Sequence, residues 1–338
     1  MPLNITFRTH LLGSVTEFSH SANLTLLSNP LILVELIVLL SRYQEEGVSL
    51  SPKVYITNNI EILNSMLPSG ELIKIGDTEQ NVNGVKKALK KCAPLALNGW
   101  LIYIFEKDST IEYGLFKDSG NPISVLVDDI LMIGNDGCSI VKVFQIATDC
   151  VEIKANNGSS HYIFLNHRKE ESLPPLEYLD NLIQQITQNV KAEYKEPTSV
   201  FLNRLLFDGL RQSHGCIIAV TNMPKAPKFL ANDGVILEKP IDFVFLVEEL
   251  TKKNIEASIL ESKGALLHGM LNSDGIILFN NKGCLLGYNC FIKVSDKTNV
   301  IGGARKRAFA SLESKLNRGI CSVFMQSQDG WTEFKGTE

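Results

Sequence analysis

Asp274-Gly275-Ile276-Ile277-Leu278-Phe279-Asn280-Asn281-Lys282-Gly283-Cys284-Leu285-Leu286-Gly287 sets two apolar runs around a polar turn closed by glycine. The pattern predicts strands over Ile276–Phe279 and Leu285–Val294. Working backwards, Leu266–Leu271 predicts a helix that hands over to the first of these strands. Phe243, Leu246, Val247 and Leu250 mark another helix, and Cys216–Val220 reads as a buried strand. Working forwards, Gly303–Leu316 predicts a helix and Ile320–Met325 a strand. Asp329-Gly330 then turns into a short last strand containing Trp331. Helices interleaved with strands in this way predict an α/β domain, a mixed sheet flanked by helices, over residues 213–338.

Upstream, residues 173–212 read as connecting helices. Leu179, Ile183, Ile186 and Val190 recur at helical spacing; Pro197 interrupts, and Thr198 or Ser199 can cap a second helix carrying Leu202, Leu206 and Leu210. The polar stretch His167–Ser172, followed by Pro174-Pro175, is the best domain boundary. Residues 1–172 before it read as an α+β domain with an antiparallel sheet. Its expected helices are Leu31–Tyr43 and the basic Val85–Cys92. Its expected strands are Trp100–Phe105, Ile111–Phe116, Ile123–Val127, Ser139–Ile146, Val151–Lys154 and Tyr162–Leu165.

Composition excludes some functions. The 338 residues are 44% hydrophobic and carry a net charge of −4 without a long basic run, so broad binding to nucleic acid or anionic membrane is not indicated. The seven cysteines are scattered and form no CxxC pair, which fits small core residues in a reducing compartment. Leu31–Leu40 is too short to span a bilayer, carries Glu35 and follows Asn29-Pro30; it reads as a buried helix. The start, Met1-Pro2-Leu3-Asn4, lacks a charged segment followed by an apolar one, so the expected location is the cytoplasm.

Two segments of the last domain carry chemistry. Asp274-Gly275 puts a carboxylate at a strand mouth, where it can hold a metal ion or polarise a hydroxyl, and the glycine lets a ligand approach the backbone. Gly302-Gly303-Ala304-Arg305-Lys306-Arg307-Ala308 places three cations at a helix start, where free N–H groups and the helix dipole reinforce the side chains toward an anion. The plain alternatives are a common Asp-Gly turn and a solvated basic turn. Three adjacent cations at a helix start are costly, however, and an anionic ligand would offset that cost.

In this order the two segments resemble the diadenylate cyclase family. Asp274-Gly275-Ile276 is similar to its Asp-Gly-Ala motif, and Gly303-Ala304-Arg305-Lys306-Arg307 to its Gly-Thr-Arg-His-Arg motif. His214-Gly215-Cys216-Ile217-Ile218 resembles the family's first strand, and Cys290-Phe291-Ile292 lies where the family flanks adenine. The resemblance implies condensation of two ATP into cyclic di-AMP by paired domains, with Mg²⁺ or Mn²⁺. Asp274 would assist the 3′-hydroxyl and bind metal. Gly303, Arg305, Lys306 and Arg307 would hold phosphates, with Phe291 and Ile292 at the base. Ala304 and Lys306 depart from the motif, as does Gln326-Ser327-Gln328-Asp329 where the family has a Ser-Glu-Glu-type stretch. Lysine keeps a cation but cannot ligate a metal as imidazole does. The alternative function is therefore a nucleotide-binding sensor without turnover. The first domain loosely resembles presumed sensor regions that precede such domains. Among other candidates, His268 reads as a helix-surface or core histidine, and Lys86, Lys87, Lys90 and Lys91 as a solvated face. His161 and His167 lack metal-ligand company, and Trp100 and Trp331 read as partly buried core aromatics.

Overall fold

Helices α1 (Phe7–Ser21) and α2 (Pro30–Leu40) come first among the described residues. Asn29 caps α2 by accepting from the Leu31 N–H, and Pro30 takes the first helical position, where its missing donor costs nothing. The computed structural model describes residues 7–67, 71–118, 121–125, 127–134, 137–147, 149–165, 177–231, 234–293, 303–328 and 331–337. Val294, Gly302, Asp329, Gly330, His167 and the polar boundary stretch lie outside them. The chain divides into two units, Met1–Gly120 with Val125–Ser172, and Asn121–Ser124 with Leu173–Glu338.

After α2 the first unit continues through β1 (Gln44–Glu45), β2 (Val48–Ser49), β3 (Val54–Thr57), α3 (Ile60–Met66), β4 (Leu72–Glu79), α4 (Val82–Cys92), β5 (Trp100–Lys107) and β6 (Thr110–Lys117). It closes with α5 (Val127–Leu131), β7 (Ile140–Ala147), β8 (Cys150–Ala155) and β9 (Ser160–Phe164). Among the described residues its main sheet runs β4-β6-β5-β3-β7-β8-β9. The sheet is mixed rather than antiparallel, because β3 lies parallel to β5 with Val54 opposite Ile102. One face packs Val54, Ile56, Ile102, Ile104, Val141 and Val143 against α1, α2 and α4. Alternate residues turn the other way, so Tyr55, Tyr103 and Ile140 meet Leu63 of α3 and Leu131 of α5.

Ile123–Val127 is not a strand. Asn121 accepts from the Ile123 N–H through its side chain and from the Ser124 N–H through its carbonyl, which folds this stretch into a turn, and Val127 opens α5. On the α5 side of the sheet, Lys142 is only 7% exposed and bridges Asp128 at 3.0 Å and Glu152 at 2.6 Å. Tyr55 donates to the other oxygen of Asp128. Burial pushes the Asp128 carboxyl up, but Lys53, Lys142 and Tyr55 outweigh it and hold the group well below the usual carboxylate range. Burial pulls the Lys142 ammonium down, and the two carboxylates more than reverse this.

The second unit contains α6 (Leu179–Ile186), α7 (Ala192–Gln212), β10 (Ile217–Thr221), α8 (Lys228–Ala231), β11 (Val235–Asp242), α9 (Phe243–Thr251) and α10 (Ala257–Leu271). Then follow β12 (Ile276–Asn280), β13 (Cys284–Cys290), α11 (Ala304–Glu313), β14 (Ser322–Gln326) and β15 (Thr332–Gly336). The helices expected as connectors pack into this unit's core. Pro197 does not interrupt: α7 begins at Ala192 and runs through it. The proline removes one backbone bond near the helix start, while Phe201, Leu202, Leu206 and Leu210 bury beyond it. Thr198 is buried inside α7 and Ser199 pairs its hydroxyl with Thr187, so neither is a cap. Val190 falls past the end of α6, where the Thr187 hydroxyl donates to the Ile183 carbonyl.

Among the described residues this sheet runs β11-β13-β12-β10-β14-β15, with β10 and β12 parallel and the other pairs antiparallel. Ile218, Val220, Ile277 and Phe279 face α6, α7, α9 and α10. Ile217, Ala219, Ile276 and Leu278 face Leu230 of α8 and Phe309 and Leu312 of α11. Both faces are covered, which is why the central strands are apolar throughout. The chain thus has an α/β architecture with two mixed sheets. No helix among the described residues is long and apolar enough to cross a membrane. All seven cysteines are free, and every one but the half-buried Cys284 is buried.

Candidate functional site

The strand register decides which segments of the second unit meet. Ile217 of β10 lies beside Ile276 of β12, Cys290 of β13 pairs with Ile276, and Met325 of β14 pairs with Ile217. Two strand starts and two strand ends therefore share one end of the sheet. The loops there are Gly215-Cys216, Asp274-Gly275, Asn289-Cys290-Phe291 and Gln326-Ser327.

Asp274-Gly275 links α10 to β12, as the sequence suggests. Gly275 has φ +91°, and a Cβ there would come within 2.9 Å of the Asn289 backbone and the Cys290 carbonyl oxygen. Only glycine fits this close approach without strain. Asn289 itself adopts φ +49°. Between the pairs Ile276–Cys290 and Leu278–Gly287 it adds one residue to β13, a bulge of the kind common beside functional sites. The Asp274 carboxylate is exposed and accepts the Gly275 N–H at 3.0 Å. It has no other hydrogen-bond or ion-pair partner among the described residues.

The second motif joins the same end through α11. Gly303 is its N-cap without a side-chain bond, and the first turn holds no acidic residue. The Arg305 guanidinium reaches back over β10, where Nη1 lies 3.0 Å from the place a Cβ on Gly215 would occupy. Burial pushes the neighbouring Cys216 thiol up to about 12, with the Arg305 charge pulling the other way. Arg305 is half-buried yet has no hydrogen-bond or ion-pair partner among the described residues. Lys306 and Arg307 are exposed on the same helix start.

β13 ends at Cys290, so Phe291 and Ile292 follow the strand instead of lying within it. Phe291 is 44% exposed, whereas Ile292 is half-buried against Ile217 and its neighbours. Trp331 is 42% exposed and immediately precedes β15, so it is a surface aromatic and not a core one. Trp100 does pack, half-buried, on the first unit's core. His268 is engaged elsewhere, with Nε2 2.8 Å from the Leu205 carbonyl oxygen. His161 meets the Phe18 ring edge-on, and Lys86 pairs with Glu35.

Gln326 looks from sequence like a lost acidic residue, but its amide has a local task. It is buried, and its Oε1 accepts from the Ser213 hydroxyl, which in turn accepts the Gly215 N–H. Sequence reading missed this clasp and the Asn289 bulge. The available signal was Asn289 itself, since asparagine tolerates the left-handed region better than most residues.

Chemically, the described residues of the sheet end offer the Asp274 carboxylate, the Arg305 guanidinium, the further cations Lys306 and Arg307, and exposed aromatics. Among the described residues no group of three or more His, Cys, Asp or Glu side chains could hold a metal ion. Mg²⁺ at phosphate-binding sites is ordinarily held by one or two carboxylates with phosphate and water completing its shell, so Asp274 fits as a single protein ligand. Comparison with protein-family models, with curated proteins and with solved structures finds no match to this chain.

Proposed function

We propose that the second unit binds a nucleoside triphosphate, ATP by the resemblance of its motifs, and condenses two of them into a cyclic dinucleotide. The observation that carries this reading is Arg305, half-buried on the first turn of α11 and without a hydrogen-bond or ion-pair partner among the described residues, at the sheet end where Asp274-Gly275 also opens. An unpaired guanidinium removed in part from water is costly, and phosphate oxygens match its planar fork.

In this reading Arg305, Lys306 and Arg307 hold the triphosphate, and Phe291 stacks on the base. Asp274 orients the 3′-hydroxyl and accepts its proton as the 3′-oxygen bonds to the partner nucleotide's α-phosphorus. The bond from that phosphorus to the β-phosphate oxygen breaks and pyrophosphate leaves; repeating the step in the opposite sense closes the ring. Bound Mg²⁺ or Mn²⁺ would neutralise phosphate charge at Asp274. Positioning and charge stabilisation supply most of such a rate enhancement. Two domains must face each other, so the working enzyme is a homodimer or larger, acting in the cytoplasm under control of the first unit.

The lack of a metal-holding cluster around Asp274 among the described residues and the replacement of imidazole by Lys306 support a second reading, a nucleotide-binding sensor that does not turn over. Incubation with ATP, then the other nucleotides, and Mg²⁺ or Mn²⁺, followed by chromatography, separates the two. The enzyme reading expects a cyclic dinucleotide that disappears in Asp274→Asn. Nucleotide binding without product under either metal leaves the sensor. Product that survives Asp274→Asn removes that residue from the mechanism.

A further inference from the structure

We propose that Gly215 is a positioning residue for the phosphate site, the bare floor on which the Arg305 guanidinium rests. The inference deepens the nucleotide reading and rests on it. Gly215 has φ +92°, and any Cβ there would meet Arg305 Nη1 at 3.0 Å, the Gln326 carbonyl oxygen at 2.7 Å and the Ser327 carbonyl carbon at 2.8 Å. The missing side chain is thus what admits the guanidinium.

The floor is itself held still. Cys216 N–H donates to the Gln326 carbonyl at 3.1 Å, and the Gln326 N–H returns a bond to the Cys216 carbonyl at 2.9 Å. Ser213 links the turn to the Gln326 side chain, with 3.2 Å to Oε1 and 3.3 Å from the Gly215 nitrogen. Among the described residues Arg305 has no hydrogen-bond or ion-pair partner to orient it, and its Nη1 lies over Gly215, just before β10. A guanidinium fixed before the ligand arrives loses less freedom on binding, which is where a positioning residue contributes affinity.

The test uses the full chain, with ATP and inorganic triphosphate as probes. Gly215→Ala should weaken ATP by about ten-fold or more, the worth of one charge-assisted hydrogen bond. In an Arg305→Ala background the same change should cost almost nothing further, since both act through one guanidinium. Additive losses, or no loss in Gly215→Ala, would overturn the proposal.

Alanine at φ +92° is strained and meets backbone, so that variant can fail to fold. Ser213→Ala, which only loosens the clasp, then serves. Nitrogen-15 NMR of the Arg305 Nε–H, assigned through Arg305→Lys, reads the guanidinium without any nucleotide. Slowed guanidinium rotation in the unmutated protein that speeds up in Ser213→Ala supports the seat. A freely rotating Arg305 in the unmutated protein, or a signal unchanged in Ser213→Ala, sinks it. If the unmutated protein binds neither probe the nucleotide reading fails, while the NMR arm still decides where Arg305 sits.

Discussion

At the scale of single residues, the described part of the site sets the Asp274 carboxylate against the cations of Arg305, Lys306 and Arg307. Arg305→Ala should cut ATP affinity about ten-fold or more, read as a smaller nucleotide-induced rise in melting temperature. No rise in the unmutated protein would count against both functional readings. Gly275→Ala forces alanine into the left-handed region and onto the Asn289 backbone. It should cost on the order of 1–3 kcal/mol in denaturant unfolding, with a change under about 0.5 kcal/mol contradicting the close approach. Asp274, Gly275, Arg305 and Phe291 stand out in the sequence by residue type, and the strand register brings their segments to one sheet end. Gly215 and Gln326 do not stand out, since what matters in them is a missing side chain and a buried amide bonded across strands. Ile292, expected as a base contact, is half-buried on the core cluster that includes Ile217. Apolar character alone does not distinguish a ligand face from a core face.

Among elements, the central strands of the second sheet were legible because both faces are covered and the runs are apolar without a break. The edge strands β4 and β11 are largely exposed and mix apolar with charged residues, so they lack the unbroken apolar run of the central strands. Strand β3 is short and follows Pro52, yet it sits mid-sheet, and its parallel pairing with β5 depends on a partner far along the chain. Local pattern cannot show that. Between β7 and β8, Lys142 is held by two carboxylates in a nearly dry setting. Lys142→Met would take from Asp128 and Glu152 the ammonium they share, leaving Lys53 as the cation acting on Asp128. It should destabilise the first unit by about 3–5 kcal/mol in denaturant melts. A loss under about 1 kcal/mol would mean water already screens the pair.

For the whole molecule, the same cluster sets a pH dependence with a defined sign. The Asp128 carboxyl is depressed in the folded state, so its stabilisation is present above the unfolded value of about 3.9 and is lost as pH falls toward the folded value. The Lys142 ammonium is raised, so its share is full below about 10.4 and is lost only as pH rises through the folded value. Acid below about pH 4 should therefore lower the melting temperature of the first unit, and Asp128→Asn should flatten that limb. With two tryptophans in the chain, Trp331→Phe leaves Trp100 fluorescence to report the first unit alone. An acid limb equally steep in Asp128→Asn would place the effect on other carboxylates. The two-unit layout was legible from the Pro174-Pro175 boundary, whereas the return of Asn121–Ser124 to the second unit was not, being a matter of long-range packing. The joining of strand starts and strand ends at one sheet margin also bears on folding order. Its walls come from segments between Ser213 and Trp331, and β14, which carries Gln326, pairs with β10 from far along the chain. During synthesis the floor of that margin, Gly215 beside the Gln326 and Ser327 backbone, cannot form until β14 has followed β10 out of the ribosome.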